Sequence, residues 1–435
     1  MRLSRGPYLL IWLLLTGAQV YALSQTGVWE ATMTAGVLVA AQLLKMLNAI
    51  PRLNDLGRAW DDSFFVLLPL VKTGLWLQLT KPTPNEARWL KNRAKWENEP
   101  TAVQAFVHGL GIMSRNLVPV TLAVVVVGIA GGFVETLAVD GLLSWLAQNL
   151  ETSVLIGQGL FILFIFQAIY LFLQLAKRKT ASRESWWPTV LMPATLALGI
   201  AAINGGSSGI SAEQIVGIGA SGDPILPYMM GSMGLAMMFG FFVSGVLSTL
   251  WVALAMKDRE RVLGLVPAAS VGERLRKNWL GVAVANGAAS LLITVGMLIL
   301  VPGIIYALQY AFVATVTVAN PDGQSLRDSS EDSRPVRRRL FKMLFFSFLT
   351  DTAFALVTLA VFASIAGAEL LTSVGLGFGW VIRQFPASSV GVQPTTAMVI
   401  IGLSVIFWGA ARIGIANTWL IRSNWTSAPV EADAA

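Results

Sequence analysis

The side chains best suited to chemistry in this sequence are ionisable residues within apolar segments. Asp351, in "FLTDTAF", lies well inside an apolar stretch long enough to cross a membrane. An uncompensated charge at that depth costs at least about 2.5 kcal/mol, so Asp351 needs a partner, water or a proton. Arg412 and Asn286 lie in other apolar segments and could supply the partner. An ion or proton site and a structural pair are both compatible with this pattern.

The residue inventory excludes several kinds of chemistry. The sequence has no cysteine and one histidine, which excludes disulfides, thiol catalysis and a structural His/Cys zinc site. His108, in "AFVHGLG", has no second histidine or cysteine to work with, so no nucleophile–base pair can be assigned. We therefore predict no enzymatic activity and no cofactor. The glycines of 231–248 predict close helix packing, because no strand precedes them as a nucleotide fingerprint requires.

The composition predicts a membrane protein. Of the 435 residues, 55% are hydrophobic and 13% charged, whereas a soluble domain has about 25% charged residues. The long apolar runs do not alternate, which argues against barrel strands, and they reach the roughly 20 residues that a spanning helix needs. The predicted fold class is therefore all-α, a polytopic integral membrane helical bundle. The apolar segments are 7–23, 28–50, 63–79, 117–137, 153–176, 187–204, 225–256, 279–301, 303–319, 340–366 and 391–415.

The positions of the basic residues predict the topology. If the amino terminus were cytoplasmic and every apolar segment spanned, the basic residues of 81–115 would face outside, against the positive-inside rule. If 63–79 instead turns back at Pro69, about ten helices span the membrane. Nearly all Lys and Arg residues then lie on the cytoplasmic side, and so do both termini. This predicts a cytoplasmic-side re-entrant or interfacial hairpin in a protein of a bacterial cytoplasmic (inner) membrane. An ordinary span oriented by tertiary packing is the alternative for 63–79.

Polarity along the chain predicts its organisation. We expect an amino-terminal membrane unit at 1–80, a cytoplasmic amphipathic linker at 81–116, a carboxy-terminal helical bundle at 117–422 and a disordered tail at 423–435. The first apolar segment follows Arg2 and Arg5 and could be a cleaved signal peptide. Its apolar run extends past the cleavage-like "VYA", which favours a retained helix.

The stretch "RLNDLGRAWDDSFFVLLPLV" resembles a family of small uncharacterised bacterial inner-membrane proteins with the signature Arg-Leu-His-Asp-Leu-Gly-Arg-Ser. The resemblance covers about residues 1–80. Asn54 stands where the family has histidine, and Ala59 where it has serine, so a role of that histidine does not carry over. The signature residues that match include Arg52, Asp55, Gly57 and Arg58.

Residues 272–345 resemble the membrane domain attached to some bacterial glycerophosphoryl diester phosphodiesterases, and related multi-pass proteins. Pro302 and Gly303 match a tight helical hairpin, and Ser329 matches the segment that follows it. In those enzymes a separate soluble barrel carries catalysis, and no stretch here approaches the roughly 250 residues of such a barrel. The resemblance therefore implies a membrane domain without phosphodiesterase activity.

Three consecutive arginines, Arg337, Arg338 and Arg339, precede the 340–366 segment. They are predicted to contact anionic lipid at the cytoplasmic surface, or to act only as a topology signal. The expected partners are membrane lipids and an unknown membrane protein, with no nucleic acid. The predicted function is that of a non-enzymatic membrane scaffold, assembly factor or regulator. The alternative is a small-solute or lipid transporter with Asp351 in its polar pathway.

Overall fold

A computed structural model describes most of the chain, and its described residues are helical, with turns and no β-strand among them. The described ranges are 4–25, 31–67, 75–82, 84, 86, 89–90, 101–133, 145, 148–176, 183–208, 225–265, 267, 269–297, 299, 301–320, 324–366 and 393–425.

The α-helices are numbered in chain order. They are α1 Arg5–Ser24, α2 Ala31–Asp55, α3 Ala102–Ser114, α4 Leu117–Phe133, α5 Leu150–Ala176, α6 Trp187–Ser208, α7 Ile225–Val262, α8 Val271–Met297, α9 Val301–Gln309, α10 Val313–Ala319, α11 Ser325–Ser333, α12 Arg337–Ala366 and α13 Gln393–Arg422. Short 3₁₀ helices lie at Trp60–Leu67, Arg183–Trp186 and Arg334–Val336.

The chain divides into two compact units. The first, which we call the amino-terminal unit, comprises Met1–Ala105 together with Phe341–Phe346 from α12. In it α1 packs on α2, and α2 packs on the 3₁₀ helix Trp60–Leu67. Its apolar core includes Tyr8, Leu53, Phe65 and Leu79, with Phe341 packed against it. A segment distant in sequence therefore helps to complete this unit.

The second unit comprises Phe106–Leu340 and Ser347–Ala435. Helix α7 contacts α6, α8 and α13. A Cβ at Gly234 would lie 2.6 Å from Leu198 Cγ, and a Cβ at Gly245 would lie 2.5 Å from Ala283 Cβ. The close packing predicted for 231–248 is thus confirmed at these two glycines. Gly240 has open space around it.

Seven helical segments of the described chain are long and apolar enough to cross a membrane. The count is eight if α3 and α4, which meet at a bend of 97°, form one span. The membrane character of the helical fold is therefore supported, but a count of about ten spans is not confirmed. The other two predicted spans, 28–50 and 340–366, include residues whose side chains lie outside the described part of the chain.

The predicted hairpin at 63–79 is described only in part. Pro69 and Lys72 fall in 68–74, outside the described residues, so the re-entrant path remains a prediction. On either side lie the 3₁₀ helix Trp60–Leu67 and a helical turn at 75–79. The four-part division of the chain also remains a prediction, since α3 lies in the proposed linker and most of the tail lies outside the described residues.

Candidate functional site

The signature glycine Gly57 terminates α2. Its φ of +67° is in the left-handed region that favours glycine. The Gly57 N–H donates to Asn54 O at 3.1 Å, and the Arg58 N–H donates to Leu53 O at 2.9 Å. These two bonds form a Schellman motif, which satisfies carbonyls left free at the helix end. The "LG" of the signature therefore ends the helix.

Arg52 connects this helix end to residues 79–81. Its side chain is fully buried. Its guanidinium donates to Asp55, to Leu79 O at 2.9 Å and to Lys81 O. A planar group with several fixed donors suits such a multiple contact, which lysine cannot reproduce. Arg52 therefore satisfies carbonyls at the end of the helical turn at 75–79.

On the other side of 68–74, the Gln42 amide donates to Val66 O near the end of the 3₁₀ helix. Side chains of α2 thus satisfy backbone carbonyls before and after this segment. Irregular backbone at membrane depth needs such partners. These contacts are compatible with the predicted hairpin.

Two adjacent carboxylates, Asp61 and Asp62, bind one lysine within the amino-terminal unit. Lys342 Nζ lies 2.7 Å from Oδ1 of each aspartate. The side chains are 1%, 0% and 3% exposed for Asp61, Asp62 and Lys342. Asp61 Oδ2 also accepts from the Ala102 N–H at 3.0 Å, at the start of α3. Asp62 Oδ2 lies 3.1 Å from Arg58 Nη2.

The ion pairs form two groups, Arg52 with Asp55, and Arg58 and Lys342 with the adjacent aspartates. Together these two groups are called the charge network, and its three acids and three bases give it a formal charge of zero. Burying an ion without a partner is expensive, whereas paired ions can be tolerated. The network therefore needs no bound ion for neutrality. Its members are Arg52, Asp55, Arg58, Asp61, Asp62 and Lys342.

Asp351 has partners other than the expected ones. Ser404 Oγ donates to Asp351 Oδ1 at 2.6 Å, and Trp408 Nε1 donates to Oδ2 at 3.1 Å. The donors are four residues apart, so both lie on the face of α13 that meets α12. Each carboxylate oxygen therefore has a neutral donor from α13.

The two expected partners lie elsewhere. Asn286 donates to Ser248 Oγ at 3.0 Å and to Ser244 O at 3.4 Å, which links α8 to α7. Arg412 lies one turn after Trp408 on α13 and is partly buried. No ion pair joins Arg412 to Asp351 among the described residues.

The residues of the second resemblance lie around the α8–α9 turn and the α9–α10 break. A Cβ at Gly303, which follows Pro302 in α9, would lie 2.5 Å from Met297 Cγ, so glycine permits the close turn. The Ser329 hydroxyl accepts from the Phe312 N–H at 3.2 Å and donates to Gln309 O at 2.9 Å. Ser329 is thus a structural residue that satisfies the backbone where the span is interrupted.

The three arginines form the start of α12. Arg338 is exposed, and Arg337 and Arg339 are partly buried. Pro335 lies in the 3₁₀ turn just before them. Cations at a helix amino terminus are disfavoured by about 0.3–1 kcal/mol each, so an anion nearby would stabilise them. The contact of these three arginines with anionic lipid remains a prediction.

A cavity of about 430 Å³ in the second unit was not expected from the sequence. The residues that line it include Asp328, Glu331, Asp332, Trp419 and Trp425. Trp419 Nε1 donates to Asp332 Oδ2 at 2.6 Å. No cluster of metal-ligating side chains occurs in the described ranges, this cavity included.

Sequence reasoning missed the acid pair, its lysine and the partners of Asp351. Asp61 and Asp62 follow the signature after Trp60, and adjacent acids beside an apolar run were a usable signal. Lys342 is distant in sequence, and nothing in the pattern links it to them. Comparison with known protein families, characterised proteins and solved structures gave no match.

Proposed function

We propose that this chain is a non-enzymatic multi-pass membrane protein of a bacterial cytoplasmic membrane, acting as a scaffold, assembly factor or regulator. The pairing of Asp351 carries the proposal. Both oxygens of this carboxylate already accept from neutral donors on α13, Ser404 and Trp408. A carboxylate held in this way stabilises helix packing, whereas a transport pathway needs one that exchanges with a solute or proton.

The charge network supports the same proposal. Its three acids each lie beside a base, so it resembles a structural assembly more than a relay with an open position. The proposed partners are a membrane protein and membrane lipid. The proposed topology has about ten spans with both termini cytoplasmic, as the charge distribution favours.

The test compares the wild type with Asp351→Asn in two assays. Reconstituted into liposomes with an internal pH-sensitive dye, neither protein should give a proton flux above that of empty liposomes. When the wild type and Asp351→Asn are purified from native membranes under mild conditions, the same partner membrane protein should co-purify with each. The ratio of partner to this chain should be the same for the two. A solute or proton flux that requires Asp351 would instead establish the transporter alternative.

The proposed lipid contact has its own test, with Arg337, Arg338 and Arg339 replaced together by glutamine. Each basic residue near an anionic surface contributes about 1 kcal/mol, so the variant should retain less anionic lipid after purification. It should also lose more thermal stability in anionic than in zwitterionic lipid. Equal losses in the two lipids would leave these arginines with a topological role alone.

A further inference from the structure

We propose that the ion cluster of Lys342 with Asp61 and Asp62 sets the rotational register of α12 on the amino-terminal unit. The proposal goes beyond the proposed function, because it assigns a specificity role to a lysine that no motif singled out. The surface concerned consists of Asp61, Asp62, Phe64 and Phe65. Its occupant is the segment Phe341–Phe346 of the same chain, which belongs to the same compact unit.

Aromatic contacts flank the ion cluster. Phe65 stacks on Phe341 with ring centroids 5.7 Å apart and an interplanar angle of 19°. Phe64 contacts Phe346 with centroids 5.3 Å apart. Lys342 lies between these two aromatic residues in sequence. The segment thus presents a lysine and two phenylalanines to one surface.

The aromatic contacts alone select the register poorly. The segment 340–346 reads "LFKMLFF", in which every residue except Lys342 is apolar. Successive residues of a helix are about 100° apart, so rotation by one position would still present an apolar side chain. Phe345, for example, is adjacent to Phe346 and would offer the same aromatic ring to Phe64. Several registers would therefore bury similar apolar surface.

Lysine removes this ambiguity. Lys342 is the only basic residue between 340 and 366, and the arginines of α12 lie at least three positions away, at 337–339. Rotation by one or two positions would put an apolar residue in its place, and Asp61 and Asp62 would lose their lysine while still buried. Arg58 contacts Asp62, and the Ala102 N–H contacts Asp61, but a neutral N–H does not replace a cation. A wrong register therefore carries the penalty of a buried carboxylate without its counter-ion.

A register role differs from a stabilising role in one respect. Buried ion pairs often add little net stability, and replacing all the partners by neutral groups can be tolerated, whereas removing one partner is strongly destabilising. If the cluster supplies register, removing Lys342 and Asp61 together, which leaves Asp62 paired with Arg58, should give a folded protein with a less definite α12 position. If it supplies stability, this double variant should fold no better than the variant that lacks only the lysine.

The test uses disulfide formation in the full-length protein, which has no native cysteine. Phe64→Cys is combined with either Phe346→Cys, the observed neighbour, or Phe345→Cys, which reports a helix rotated by one residue. Both pairs are made with the charges intact and in the double variant Asp61→Asn, Lys342→Met, in which Asp62 keeps Arg58 as its partner. Crosslinks formed in membranes under mild oxidation are quantified by peptide mass spectrometry. Lys342→Met alone is the destabilised reference.

With the charges intact, we expect crosslinking at 346 to exceed that at 345 by at least tenfold. Lys342→Met alone should accumulate poorly in the membrane. The double variant should recover accumulation and crosslink at 345 and 346 to within about threefold of each other. The proposal is overturned if the double variant still crosslinks only at 346. It is equally overturned if the double variant accumulates no better than Lys342→Met.

Discussion

At the residue scale, Gly57 illustrates a position required for its backbone conformation. Gly57→Ala should destabilise the protein by about 1–2 kcal/mol, because an L-residue at φ +67° is strained. Gly264, with φ +70° and open space around it, should respond to alanine in the same way. Gly6→Ala is the control, since Gly6 lies within α1 with no atom near its Cβ position, and it should be neutral or stabilising. Thermal unfolding in detergent measures the stability of the three alanine variants. An equal change in stability at Gly57, Gly264 and Gly6 would contradict the strain argument.

Asp351 gives a second prediction at this scale. Asp351→Asn keeps the shape but places an amide N–H₂ opposite either Ser404 Oγ–H or the Trp408 N–H. The hydroxyl can rotate to accept, but the charge-assisted character of both bonds is lost. We expect a loss of about 1–3 kcal/mol in the free energy of unfolding. Ser404→Ala removes one donor and should cost less than Asp351→Asn, so a larger loss for Ser404→Ala would contradict this assignment.

The chemistry of single residues was predictable only where it was local. Asp351 stood out as an acid in an apolar helix, but its partners are a serine and a tryptophan, which a search for opposite charges does not find. The match of Gly57 to a family signature did not explain why glycine is needed at this position, whereas its left-handed backbone conformation does. Asp61 and Asp62 pair with Lys342 across a long sequence separation, and such pairing depends on tertiary structure that local pattern does not encode.

At the element scale, helix packing around α7 gives the clearest prediction. A Cβ at Gly245 would lie 2.7 Å from Trp279 O on α8, so Gly245→Leu should force α7 and α8 apart. Overpacking of this kind typically costs about 1–3 kcal/mol. Gly240→Leu is the matched control, because no atom lies within 4 Å of its Cβ position. Thermal unfolding of the two variants should differ clearly, and an equal response would show that the helices yield without cost.

Apolar run length predicted helices long enough to span, because the required length follows directly from the thickness of the membrane. Seven or eight such segments occur among the described residues, and the count of about ten is not confirmed. Run length did not predict how spans are interrupted. The predicted span 303–319 is divided into α9 and α10, and the fully buried Ser329 satisfies the backbone between them. Apolar content is similar on both sides of such a break, so the sequence pattern does not reveal its position. The break is recognised only in the structure, together with the side chain that satisfies the backbone there.

At the scale of the whole molecule, α12 contributes residues to both compact units. Phe341–Phe346 belongs to the amino-terminal unit, while its later residues, including Asp351, belong to the second. Polarity along the chain predicted an amino-terminal unit at 1–80, and such a pattern cannot reveal a contribution from 341–346. The amino-terminal unit should therefore be studied in the full chain.

The topology gives the last prediction, and the absence of native cysteine permits a clean test. The positive-inside rule places residue 148 outside and residue 327 in the cytoplasm. Both side chains are exposed, so a cysteine at either position should react wherever reagent reaches it, whereas the buried Ser329 would report access poorly. An impermeant maleimide added to intact cells should label Gln148→Cys at once and Arg327→Cys only after permeabilisation. Labelling of Arg327→Cys in intact cells would show that α11 faces outside and that the proposed orientation is wrong. The arginines at the start of α12 would then be an exception to the positive-inside rule.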